Sequence, residues 1–129
     1  MAKTVLDLNK TEWNIYYPGY HYPKAEWFDS QSLRLRKQQA LRIAKQASRI
    51  LRNQFGARKV VLFGSVTRKD DFGPWSDIDL AAWDIPPDRF FIAIAAVTGL
   101  SGDFKIDLVD PLSCKPLLRE CIEQEGVEI

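Results

Sequence analysis

Apolar positions along the chain fall first into a helical period and then into three short β-like runs separated by further helical stretches. Leu33, Lys37, Ala40, Leu41, Ala44, Ala47, Leu51 and Phe55 follow one another by threes and fours, which predicts one amphipathic helix. Asp29 and Ser30 offer N-cap side chains, Gly56 closes it, and its arginines and lysines are expected on the wet side. Arg58 to Phe63 (RKVVLF) reads as a buried strand stopping at Gly64-Ser65, and the polar stretch VTRKDDFGPWS reads as a loop with a helical turn at its start. Asp77 to Trp83 (DIDLAAW) alternates as a strand, with Ile78 and Leu80 on one face and Asp77 and Asp79 on the other. Asp84 is placed to cap a helix entered through Pro86-Pro87 and running past Phe90, Phe91, Ile94 and Val97 towards Gly99. Phe104 to Val109 (FKIDLV) is a third strand, and Ser113 is expected to cap a last helix through Leu117, Leu118, Cys121 and Ile122, ending at Gly126 before a short tail.

This order predicts a small α+β domain, a mixed sheet of three main strands packed against helices on one face. The first residues stand apart. Trp13, Tyr16, Tyr17, Tyr20, Tyr22, Trp27 and Phe28 are broken by Pro18, Gly19 and Pro23, so residues 1–28 read as an irregular aromatic arm and 29–129 as the single domain.

A length of 129 residues with 46% hydrophobic and 27% charged residues fits one soluble domain with its own core. No apolar run approaches the roughly 18 residues of a membrane span, and the start lacks the apolar stretch of a signal peptide, so no membrane contact and a cytoplasmic location are expected. Cys114 and Cys121 read as lying in one helix about 10 Å apart along its axis, which excludes a disulfide between them. A single histidine, His21, makes a zinc site an unsuitable reading.

The net charge of +1 conceals a division. Between Arg34 and Lys59 there are nine cations and no acid, whereas Val60 to Asp110 carries nine aspartates against Arg68, Lys69, Arg89 and Lys105. Such asymmetry suits either an anionic partner or complementarity within the molecule.

Among those aspartates, Asp77 and Asp79 would project from one strand face about 6.5 to 7 Å apart, where two ionised carboxylates repel unless a cation lies between them. Hard oxygen donors at that spacing suit magnesium or manganese. Asp107 sits within an apolar strand, where a carboxylate needs a cation, either a metal or Lys105 two residues earlier. Gly64-Ser65 at the end of a strand offers backbone amides and a hydroxyl to a phosphate.

Together, Gly64-Ser65, Asp77-Ile78-Asp79 after a polar loop, and Asp107 among apolar residues resemble the nucleotidyltransferase signature of the DNA polymerase beta superfamily. The stretch VVLFGSVTRKDDFGPWSDIDLA looks like the stand-alone minimal nucleotidyltransferases, and KIDLVD with EGVEI resembles their C-terminal end. The resemblance covers about Arg58 to Ile129; Thr67 and Lys69 flank Arg68 where many members carry a small residue and a glycine. It implies a nucleotidyltransferase-like fold, two magnesium (or manganese) ions on Asp77, Asp79 and Asp107, and a nucleotide triphosphate gripped by Gly64, Ser65 and Arg68. It further implies transfer of AMP from ATP to a hydroxyl. Minimal members are similar to the antitoxin half of two-component systems, so the implied acceptor is a tyrosine of a cognate HEPN-type toxin. Two other readings stay open: a module that neutralises a toxin by contact alone, and one that binds or modifies an RNA end through its cations.

Overall fold

A computed structural model of the chain describes residues 30–68, 72–73 and 76–129. The aromatic arm and its junction at Asp29 lie outside them. The first helical period forms α1 (Ser30–Phe55), which ends where Gly56 takes a positive φ of 73° and the amide of Ala57 reaches back to the carbonyl of Leu51. An L-residue with a side chain is disfavoured in that conformation, so glycine is the natural stop.

The strands are β1 (Lys59–Phe63), β2 (Ile78–Trp83), β3 (Ile106–Val109) and β4 (Val127–Glu128), in the spatial order β3-β2-β1-β4. β1 runs antiparallel to both β2 and β4, while β2 and β3 are parallel. Parallel neighbours need a crossover, and α2 (Pro87–Thr98) supplies it. After β3 the chain forms α3 (Pro116–Glu125) before returning as β4. The expected tail is therefore a fourth strand, short because only Val127 and Glu128 pair, opposite Leu62 and Val61.

Alternation sorts each strand between two faces. Val60, Leu62, Ile78, Leu80, Ala82, Ile106 and Leu108 join Ala40, Ala44, Ala47 and Leu51 of α1 and Ala93 and Val97 of α2 in the main core. Three alanines on the buried stripe of α1 let the helix backbone approach the sheet closely. Val61, Phe63 and Ala81 point the other way, against Ile122 of α3, with Trp83, Val109, Cys114 and Leu118 packed around them. Helices thus cover both faces of the sheet, not one. The reason is legible in β1, where Val61 and Phe63 are as apolar as Val60 and Leu62, so neither face tolerates water.

Three local expectations are corrected. Asp84 does not cap α2: it adopts a positive φ of 69° in the turn after β2, and Pro86 occupies the cap position with no side-chain bond. Ser113 does not cap α3; its hydroxyl bonds to Asp110 Oδ2 at 3.1 Å, and the helix begins later, at Pro116, which leaves Cys114 outside it. Both cysteines are free. Arg36, expected on the wet side of α1, is 3% exposed; its guanidinium donates to the carbonyl of Asp103 at 2.8 Å and lies 4.1 Å from the ring centre of Phe104. Among the described residues no helix is long and apolar enough to cross a membrane.

Candidate active site

The site begins where β1 stops. Gly64 has φ 81°, and the chain then turns through a 3₁₀ turn at Ser65–Thr67. The carbonyl of Gly64 accepts from both the amide of Thr67, at 3.0 Å, and its Oγ1, at 2.7 Å, and the amide of Arg68 donates to the carbonyl of Ser65 at 3.1 Å. The turn therefore uses the amides of Thr67 and Arg68 and leaves those of Ser65 and Val66 outside its bonding pattern. Val66 anchors the turn by burying its side chain in the main core.

Strand pairing brings the acids to this turn. Asp79 stands opposite Phe63, the residue before Gly64, and on its other side is paired with Asp107. Neighbouring strands lie about 4.8 Å apart, so Asp79 and Asp107 occupy adjacent places on one face. Asp77 precedes β2 by one residue, and the bond from the amide of Ile78 to the carbonyl of Lys105, 2.9 Å, holds that end of the strand in register. Gly64 packs directly on the carboxylate of Asp79: a Cβ there would overlap Oδ2 and lie 3.2 Å from Cγ.

Crowding governs the electrostatics. Burial, then the charge of Asp107, push the carboxyl of Asp77 up to about 6 from an ordinary 3.8, with Lys105 acting against them. Asp79 is pushed further, to about 7, by burial, Asp107 and Asp77 in that order, against relief from Lys105 and Arg68. Carboxylates that resist ionisation because they are buried, and further because other carboxylates adjoin them, make a place where a cation is stabilised. Lys105 answers part of that demand, its Nζ 3.4 Å from Asp107 Oδ1.

The three acids predicted from the sequence are thus together on one face beside Gly64. Among the described residues, however, no three carboxylate, thiol or imidazole groups close around a single point. The donor set fits a hard divalent ion in kind: oxygen ligands in mutual repulsion beside a glycine cradle that a Cβ would fill. Arg68 is turned to another partner. Its Nη2 lies 2.8 Å from Glu125 Oε2 at the end of α3, and its carbonyl accepts from Lys37 Nζ at 3.1 Å. Sequence reasoning had no means of finding Glu125 or Lys37, which are far from Arg68 along the chain and sit in ordinary amphipathic patterns. Thr67 carried a signal, a hydroxyl three residues after the glycine, the spacing at which a Thr side chain bonds back to a carbonyl.

No family profile and no curated protein matches the sequence. Solved structures do match. A toxin–antitoxin MntA–HepT complex superposes with a TM-score of 0.50 at 20% identity, over 67% of this chain and 68% of the other. A tri-AMPylated Shewanella oneidensis HEPN toxin in complex with MNT antitoxin gives 0.52 at 19% identity, over 69% and 70%. A toxin–antitoxin structure with AMP-PNP gives 0.52 at 21% identity, over 66% and 70%. At such identities the likeness establishes the fold alone: the chain shares the α+β fold found in these toxin–antitoxin structures.

Proposed function

We propose that the chain is a metal-dependent nucleotidyltransferase that moves AMP from ATP to a hydroxyl, a tyrosine of a cognate HEPN-type toxin, and so acts as its antitoxin. The observation that carries this reading is the placement of Asp79 between Gly64 and Asp107, with Asp77 on the same edge. Support also comes from the related folds, one bound to AMP-PNP and one in complex with a tri-AMPylated toxin.

Asp77, Asp79 and Asp107 would hold magnesium or manganese. When bound, such ions lower the pKa of an attacking hydroxyl and neutralise triphosphate charge. The chain's own residues do the positioning. The amides of Ser65 and Val66, with the Ser65 hydroxyl, donate to phosphate oxygens, while the clamp of Thr67 on the Gly64 carbonyl keeps them in place. Arg68 lends positive charge to the same phosphates. A carboxylate oxygen of Asp107 takes the proton of the acceptor hydroxyl, whose oxygen bonds to the α-phosphorus as the bond to pyrophosphate breaks. Transfer of labelled AMP from ATP to a co-purified partner tests the reading; transfer undiminished by Asp77→Asn with Asp79→Asn would sink it.

Phe91 and Ile92, 82% and 57% exposed on α2, favour a second reading, neutralisation by contact, because exposed apolar side chains serve as interface anchors. Neutralisation retained by the double aspartate variant, without nucleotide binding in calorimetry, would select it.

A further inference from the structure

The cations of α1 divide into two groups. Arg36, Lys37 and Arg52 donate to backbone carbonyls, of Asp103, of Arg68, and of Arg58 and Ile129 respectively. Arg34, Arg42, Lys45 and Arg49 are exposed and, among the described residues, make no ion pair or hydrogen bond. At 3.6 residues per turn these four fall within an arc of about 80°, on the side away from the core alanines, along about 22 Å of helix. Exposed Gln31 and Gln38 share the arc, and no acid occurs between Ser30 and Lys59.

This arrangement acts against the helix's own stability. Like charges three and four positions apart, as in Arg42, Lys45 and Arg49, each cost a few tenths of a kcal/mol. The chain as a whole carries only +1, so the stripe is a local segregation of charge and not general basicity. Protein interfaces set arginines beside apolar and aromatic anchors, and this arc has the cations without the apolar anchors; Leu35, at its rim, is the nearest exposed apolar side chain on α1. Point charges in a line, without apolar anchors, match a phosphate backbone. The interleaved glutamine amides suit 2′-hydroxyls.

We propose that the outer stripe of α1 binds the sugar–phosphate backbone of an RNA strand without reading its bases. This surface is separate from the carboxylate edge and does not depend on the transferase reading.

The test is fluorescence anisotropy of the full chain with a labelled, unstructured single-stranded RNA between 50 and 200 mM KCl. Four phosphate contacts on a single strand predict a slope of log K against log salt of about −2.8, an affinity loss of about 50-fold across that range. Replacing Arg42, Lys45 and Arg49 together by glutamine should bring the slope to about −0.7; if that variant fails to fold, Arg49→Gln alone should reduce its magnitude by about 0.7. Arg42→Lys with Arg49→Lys should retain the slope. Asp77→Asn with Asp79→Asn should also retain it, which separates failure of this proposal from failure of the transferase reading. A flat salt response, wild-type binding by the folded glutamine variant, or equal affinity for single-stranded DNA or polyglutamate would overturn the proposal.

Discussion

The backbone of Gly64 lies against the carboxylate of Asp79 with no space for a methyl group between them. Gly64 also holds φ 81° with ψ −159°, a region essentially reserved for glycine that costs an L-residue about 1–3 kcal/mol. Gly64→Ala is therefore expected to displace Asp79 as well as strain the turn. Labelled AMP transfer should fall at least about 100-fold, whereas thermal melting should fall by no more than about 10 °C, since the core is untouched.

Asp77 and Asp79 titrate in the folded protein near pH 6 and 7, above the 3.8 of an ordinary aspartate. Between about pH 4 and 7 the folded state thus binds more protons than the unfolded chain, so these two groups make metal-free protein less stable as pH rises through that window. In EDTA, Asp79→Asn should raise the melting temperature at pH 8 by about 3–6 °C and have little effect at pH 4. Magnesium should raise the melting temperature of the wild type at pH 8 and leave Asp77→Asn/Asp79→Asn unmoved. Calorimetry across pH, with and without magnesium, reads both effects.

On the proposed reading, Glu125 competes with phosphate for Arg68. Both side chains are partly exposed, so the pair contributes less than about 1 kcal/mol to stability. Glu125→Gln should leave melting nearly unchanged and tighten binding of a non-hydrolysable ATP analogue about 3-fold. Arg68→Ala should weaken that binding about 10-fold, and the double variant should match Arg68→Ala. Titration calorimetry distinguishes these outcomes.

Arg36 ties α1 to the segment entering β3, through the carbonyl of Asp103 and the ring of Phe104. Arg36→Ala removes a buried charge-assisted bond and the packing over Phe104, and should cost about 2–4 kcal/mol in urea unfolding. Because that segment leads to Asp107, AMP transfer should decline at temperatures well below the melting transition.

Periodicity was enough to place every main element, since α1, the three longer strands and the two later helices each bury a face with an unambiguous repeat. The three acids stood out only in combination: Asp77 and Asp79 alternate as a solvated strand face also would, Asp107 interrupts an apolar run, and it is their order after Gly64-Ser65 that marked them as a candidate site. Less legible were features decided by residues distant in sequence. Arg36 looked like any helix cation until Phe104 arrived to cover it, and Arg68 looked free for phosphate until Glu125 met it. β4 escaped notice because two residues carry no period. Its pairing depends on β1 having an edge to offer. The caps misread at Asp84 and Ser113 fail alike, through proline: Pro87 and Pro116 open the first turns of their helices, which begin without side-chain caps.

The parallel pairing of β2 with β3 carries a consequence for when the protein becomes competent. β1, β2 and the Gly64 turn can meet through an antiparallel ribbon, but Asp107 reaches Asp79 only after α2 has crossed the sheet and β3 has docked beside β2. A nascent chain emerging from the ribosome would therefore hold two of its three acids long before the third. The three-carboxylate edge is thus a property of the finished sheet, assembled only when its last parallel strand has docked.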